Sequence, residues 1–183
     1  MPDGTAYLPY RLPGPNHFAA CLRPAWWLRC FRLGDISPMS EADNKLLARR
    51  FLEEVVNTGA VERLPEFLAS DFIGHDAGLR GMDGAREHIQ TFRRCYPDLR
   101  VTVDGQVAED DIVVTWFTMQ ATHLGAWGEL KPTGRAITLR GINIQRVRDG
   151  RITEQWGAAN TFEALFAIGA IRFNTNGGEA GAG

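Results

Sequence analysis

Residues 112–123 read IVVTWFTMQATH, and this stretch decides the fold. Every second position from 113 onward is mostly apolar, and the last of these positions is a histidine. The set comprises Val113, Thr115, Phe117, Met119, Ala121 and His123. A period of two is typical of a strand that packs one face against a core. We take this face as the concave, inner face of a sheet.

Further strands are predicted on both sides of this one, at about 100–109, 136–147 and 151–158, because turn residues separate runs of the same period. Upstream, helical spacing predicts a helix from Ser40 to about 56 and two more at about 61–68 and 84–96. A last helix is predicted at about 161–170. Helices followed by strands linked as hairpins indicate an α+β domain with an antiparallel sheet.

Composition limits the possible functions. The chain has 183 residues, of which 44% are hydrophobic and 23% charged, with a net charge of −2. The charge balance gives no reason to expect a nucleic-acid partner, and no apolar run is long enough to cross a membrane. The three cysteines fit neither a disulfide framework nor a zinc site. We expect a soluble, cytoplasmic protein whose partner is a small molecule, with no metal.

The ends of the chain differ from its middle. Residues 1–38 are rich in Pro and Gly without apolar periodicity, so we expect an irregular N-terminal extension. The basic, aromatic stretch 19–33 would suit a membrane surface or a partner groove, and a start at Met39 is an equal alternative. The domain is predicted at 39–173. Residues 174–183 are predicted to form a disordered, Gly-rich tail.

Eight short motifs follow one another through the domain. They are Asn44-Lys45 through Arg50-Phe51, Val56-Asn57-Thr58-Gly59, Asp71-Phe72-Ile73-Gly74-His75-Asp76, Phe92-Arg93-Arg94-Cys95-Tyr96-Pro97-Asp98-Leu99, Thr122-His123-Leu124-Gly125, Pro132-Thr133-Gly134-Arg135, Arg140-Gly141-Ile142, and Asp149-Gly150-Arg151-Ile152 with Trp156 after it. Together they resemble the SnoaL-like polyketide cyclase (ester cyclase) family of the nuclear transport factor 2-like superfamily.

The resemblance implies a cone-shaped, curved antiparallel sheet packed against three to four helices, with a pocket in its mouth. It also implies a homodimer formed through the sheet. In the family's cyclases the reaction is an intramolecular aldol ring closure without a cofactor. It is assisted by an acid/base aspartate on the last strand and a histidine on the strand before it.

The chain departs from that pattern at both proton-transfer positions. Counted from the Asp149-Gly150 turn, the aspartate position falls on Gly157 and the histidine position on Asn143. Neither residue can transfer a proton. The remaining groups near the predicted pocket that titrate near neutral pH are His75 and His123, whereas His88 is predicted to lie on a helix surface.

The predicted site therefore has two parts. His75 and His123 are the candidate catalytic residues, in place of the missing pair. The candidate substrate-binding residues are Phe117, Met119, Asn143, Gln155, Gly157 and Asn160. The amides among them would orient a ligand by hydrogen bonding, and their alternative role is that of ordinary hydrogen-bonded polar groups in the sheet.

Two functions remain open on this basis. The first is a cofactor-free cyclase or isomerase acting on a polyketide-like or other natural-product substrate by acid/base chemistry. The second is a non-catalytic binding or accessory protein for such a ligand. The resemblance favours the enzyme, and the residues at 143 and 157 favour the binding protein.

Overall fold

The computed structural model describes residues 39–172. Predictions for the N-terminal extension and for the Gly-rich tail lie outside these residues. The helical elements are α1 (Glu41–Arg50), a π-helical segment (Phe51–Val56), a 3-10 turn (Val61–Arg63), α2 (Leu64–Phe67), α3 (Gly81–Cys95) and α4 (Thr161–Ile168). The strands are β1 (Leu68–Gly74), β2 (Leu79–Arg80), β3 (Arg100–Glu109), β4 (Ile112–Thr122), β5 (Ala136–Arg148) and β6 (Arg151–Ala159).

The strands form one open six-stranded sheet in the order β2-β1-β6-β5-β4-β3. The predicted α+β class is confirmed. The sheet departs from the prediction at one edge. Strands β1 and β2 were not predicted, and β1 runs parallel to β6 while all other pairs are antiparallel. The predicted helix at 61–68 is correspondingly shorter. It ends at Phe67, and Leu68 already begins β1.

Hydrogen bonds fix both ends of the first helical region. At its start, Ser40 Oγ accepts a hydrogen bond from the Asp43 amide at 3.2 Å, and the Asp43 carboxylate accepts one from the Ser40 amide. After its end, the Asn57 side chain donates to the Val101 carbonyl at 2.9 Å and accepts from the Val101 amide at 2.6 Å. This pair of bonds fixes the π-helical segment against β3.

The face of β4 that was predicted to be inward is the buried one. Val113, Thr115 and His123 are fully buried, and Met119 and Ala121 nearly so. On the opposite face Trp116 is exposed and lies across Gly105 of β3. The concave side of the sheet therefore faces the helices.

The last strand carries a β-bulge that changes its pattern of faces. Glu154 pairs with Arg146, but Ile152 already pairs with Val147, so Thr153 is the extra residue. An unbroken period of two along β6 would place Ile152 on the outer face with Glu154 and Trp156, but the bulge turns its side chain into the core, where it is fully buried. Beyond the bulge Gln155 and Gly157 face inward as predicted.

No helix within residues 39–172 is long and apolar enough to cross a membrane.

Candidate functional site

A cavity of about 520 Å³ lies between the concave face of the sheet and the helices. Its walls are mostly apolar and come from the π-helical segment, α3 and the inner strands. They include Phe51, Phe72, Ile89, Phe92, Met119 and Leu139. This volume falls in the range of about 300–1,000 Å³ typical of sites for drug-sized ligands. The walls suit a small, largely apolar organic molecule.

Polar side chains also line this cavity, and strands β5 and β6 contribute two amides. Asn143 and Gly157 are direct cross-strand partners. The side-chain oxygen Oε1 of Gln155 accepts a hydrogen bond from Nε2 of Gln145 at 2.8 Å. This bond fixes the Gln155 side chain and leaves its NH₂ group available. The Asn143 side chain makes no hydrogen bond within residues 39–172. Both amides can therefore bind a ligand oxygen.

A carboxylate occupies the space beside Gly157. A β-carbon built on Gly157 would lie 3.1 Å from Oδ2 of Asp76 and 3.2 Å from Oδ1 of Asn143. Asp76 belongs to the four-residue turn 75–78 that joins β1 to β2. The residue lines the cavity and is exposed, so it lies at the rim. The missing side chain at position 157 leaves room for this carboxylate.

An imidazole on α3 also lines the cavity. His88 is half-buried, and its ring contacts Phe92 with 5.1 Å between centroids. Burial lowers the pKa of His88 from its ordinary value of 6.5, and the negative charge of Asp76 opposes that effect. At pH 7 the imidazole is therefore neutral, with one ring nitrogen that donates a hydrogen bond and one that accepts.

The lowered pKa of His88 predicts a pH dependence of stability. The unfolded chain binds a proton at this residue at a higher pH than the folded protein does, so the free energy of unfolding falls as the pH falls below 6.5. We expect His88→Gln to remove this part of the acid sensitivity. Urea denaturation between about pH 7.5 and 5 measures it. Parallel profiles for the variant and the wild type would contradict the assignment.

Five of the sequence-predicted binding residues line the cavity: Phe117, Met119, Asn143, Gln155 and Gly157. Asn160 does not. Its Oδ1 accepts from the Arg140 amide at 2.7 Å, and its Nδ2 donates to Glu163. Asn160 thus connects the end of β6 to β5 and to α4.

The two histidines predicted to be catalytic lie apart, and neither lines the cavity. The His75 ring stacks on Trp156 at 4.4 Å between centroids, and its Nε2 lies 2.9 Å from Glu154 Oε2. Glu154 and Trp156 alternate along β6 with the inward residues, so this contact is on the outer face. His123 is fully buried beyond the end of β4, with Nδ1 3.1 Å from Thr133 Oγ1.

Sequence reasoning missed the two titratable groups that do line the cavity, Asp76 and His88. A signal for each was present. In β1, Phe72 and Gly74 are buried, and the same period of two points to Asp76 and away from His75. In α3, His88 lies three residues after Ala85 and four before Phe92, on the inward stripe.

Comparison with known proteins agrees with this architecture. The family model described as SnoaL-like polyketide cyclase matches residues 46–167. No curated protein matches the chain.

Solved structures give further matches. IdmH from Streptomyces antibioticus is 28% identical, with a TM-score of 0.62 over 69% of this chain and 98% of its own. TsrD from Streptomyces laurentii is 24% identical, with a TM-score of 0.67 over 73% of this chain and 99% of its own. A SnoaL-like protein from Jannaschia Sp. CCS1 is 20% identical, with a TM-score of 0.66 over 72% and 95%. The last two likenesses concern the fold alone.

Proposed function

The chain belongs to the SnoaL-like polyketide cyclase family, and on this basis we propose that it is a cofactor-free cyclase or isomerase of a polyketide-like or other natural-product substrate. One observation carries the proposal. An apolar cavity of about 520 Å³ is lined by a carboxylate, a neutral imidazole and two amides, next to the strand where the family places its acid/base aspartate.

The polar groups match what an intramolecular aldol closure requires. A base must remove a proton from a carbon next to a carbonyl group, and hydrogen-bond donors must stabilise the enolate oxygen. Asn143 and Gln155 line the cavity, and the NH₂ group of each makes no hydrogen bond within residues 39–172 and can donate to a ligand. Apolar walls keep water away, and electrostatic interactions are stronger in such surroundings. The closure is an isomerisation without net oxidation or reduction, so it requires no redox cofactor.

A non-catalytic binding protein is the alternative. It is supported by the amide at position 143 and the glycine at position 157, which stand where the resemblance expects a histidine and an aspartate. The same cavity would then hold the ligand without transforming it. Turnover leaves a product and binding alone does not. The presence of a product therefore separates the two functions.

The test of the proposed function is incubation with linear poly-β-ketone esters. The products are analysed by chromatography and mass spectrometry. An isomer of unchanged mass, or its dehydrated form, is the expected product of ring closure. Binding without any product would overturn the enzyme in favour of the binding protein. The absence of binding would overturn both.

The amides make a separate prediction on affinity. Asn143→Ala is expected to weaken substrate binding by about 1–3 kcal/mol, because the hydrogen bond to the ligand is lost and its oxygen stays unpaired. Asn160→Ala is the matched control, since Asn160 bonds within the protein and does not line the cavity. Titration calorimetry measures both affinities. An equal loss in the two variants would show that Asn143 does not contact the ligand.

We also propose that the protein forms a homodimer through the outer face of the sheet. This face exposes two large apolar side chains, Trp116 and Ile142, which are cross-strand partners on β4 and β5. Their exposure supports an interface there. The dimer stays a prediction based on this exposure and on the family.

A further inference from the structure

We propose that Asp76 is the proton-transferring residue of this site, and that Gly157 is the position that makes room for it. The carboxylate is thus supplied by the turn after the first strand, whereas the family supplies it from the last. The inference rests on the proposed function and names the residue and the kind of C–H bond on which it acts. Its substrate class is a carbonyl compound with an acidic hydrogen on the neighbouring carbon.

The Asp76 carboxylate occupies the space beside β6 that a side chain at 157 would enter. A β-carbon on Gly157 would lie 3.1 Å from Oδ2 and 3.5 Å from Cγ of Asp76. These distances are shorter than or at the edge of ordinary van der Waals contact for carbon. A larger side chain at 157 would have to displace the Asp76 carboxylate. The position of the Asp76 carboxylate therefore depends on having glycine at 157.

The turn that carries Asp76 is fixed from the outer face of the sheet. Ile73 and Gly74 pair in parallel with Glu154 and Gln155, and the His75 amide donates to the Gln155 carbonyl at 2.8 Å. The His75 ring is stacked parallel to Trp156 and bonded to Glu154. Asp76 follows His75 in this turn, and its carboxylate lies on the cavity side, beside Gly157. His75 is thus a positioning residue.

No structural bond explains the presence of Asp76. Its carboxylate makes no hydrogen bond or ion pair in the described part of the chain, and it interacts electrostatically with His88. By contrast, Asp43 caps α1 and Asp98 accepts from the Thr122 amide at 2.8 Å. The charged or titratable groups lining the cavity are Asp76, His88 and Arg93, and Arg93 bonds to backbone carbonyls. The lone pairs of Asp76 are free to accept a proton.

The proton and electron movements balance within the substrate. Asp76 takes a proton from the carbon next to a carbonyl, and the C–H electrons form the enolate, whose oxygen accepts hydrogen bonds from the amides. The enolate carbon then forms a C–C bond with a second carbonyl carbon. The electron pair of that carbonyl moves to its oxygen, which takes the proton back from Asp76. The carboxylate is restored.

The first half of this sequence can be tested without the natural substrate. Deuterium exchange at the α-carbon of 1-tetralone, an aromatic bicyclic ketone, is followed in D₂O by mass spectrometry. Asp76→Asn keeps the shape of the side chain and removes the base. We expect the exchange rate to fall by about 10²–10⁴-fold, while 1-tetralone affinity changes only a few fold. The control is Asp71→Asn, an exposed aspartate of β1.

Relocating the carboxylate tests the link to Gly157. Adding Gly157→Asp to Asp76→Ala, which empties the space, should restore at least about tenfold of the lost rate, because the new side chain enters the same space. Gly157→Ala with Asp76 intact should slow exchange by displacing the carboxylate. Circular dichroism checks that each variant is folded. Loss of rate without rescue would overturn the statement that the two residues share one space.

The outcomes separate the inference from the proposed function. Exchange by the wild type that survives Asp76→Asn would overturn the assignment of Asp76 and leave the proposed function standing. A wild type that binds 1-tetralone, as shown by NMR saturation transfer, but does not exchange its α-hydrogen would overturn acid/base catalysis itself. Loss of exchange in both Asp76→Asn and Asp76→Ala, with rescue of Asp76→Ala by Gly157→Asp, is the result we expect.

Discussion

Replacing Phe67 with Ala is expected to lower the free energy of unfolding by about 3–5 kcal/mol. Phe67 is 1% exposed at the end of α2, and its ring lies 6.1 Å from that of Phe51, which lines the cavity. The guanidinium groups of Arg50 and Arg63 cover the ring at 5.4 Å and 5.6 Å. Truncation therefore leaves a void and also removes the surface on which both cations rest.

Phe162→Ala is the matched control for this prediction. Phe162 is 60% exposed, so its truncation should cost no more than about 1 kcal/mol. Urea denaturation followed by circular dichroism measures both variants. Equal losses would show that Phe67 does not belong to the core as described.

Gly125→Ala is expected to cost about 3 kcal/mol or more, at the upper end of the range for overpacked sites. The segment after β4 lies against the end of α3, where the amides of Leu124 and Gly125 both donate to the Cys95 carbonyl, at 3.1 Å and 3.0 Å. A β-carbon on Gly125 would stand 1.8 Å from the Arg94 carbonyl oxygen. This atom belongs to the backbone and cannot turn aside, so one of the two segments must move.

Gly84→Ala should stabilise the protein, in contrast to Gly125→Ala. Gly84 lies within α3, and a β-carbon there would meet only Leu79 at 3.6 Å, an ordinary contact. Alanine is the better helix former by about 0.5–1 kcal/mol. We therefore expect Gly84→Ala to raise the melting temperature and Gly125→Ala to lower it. Shifts in the same direction would contradict the close approach at Gly125.

The elements that could be predicted from sequence are those in which inward-facing residues recur at a regular spacing. In β4 the alternation runs from Ile112 to His123 without interruption, and in α3 the inward stripe is regular, so both were found from sequence. In β1 the period fails because Ser70 and Asp71 are both exposed and the pairing with β6 shifts register. A seven-residue strand with that irregularity leaves no pattern to detect.

The site residues on regular strands were also predicted, and those outside them were not. Asn143, Gln155 and Gly157 were found because they lie on long strands with a turn between them that fixes the numbering. Asp76 was missed because β1 itself was not predicted, so the period of two from Phe72 through Gly74 to Asp76 was not applied. His75 was selected for the usual pKa of its residue type, although its ring stacks on Trp156 at the outer face of the sheet.

The parallel pairing of β1 with β6 has a consequence for folding kinetics. Ile73 and Glu154 are partners across about 80 residues of chain, whereas β3 to β6 are joined by successive hairpins whose contacts are local. Closing the long loop costs more entropy than forming a hairpin. We expect the hairpins to form first and β1 to dock last. Asp76 would therefore meet Gly157 only in the final step of folding, and a transient opening of β1 would separate them while the hairpin sheet stays intact.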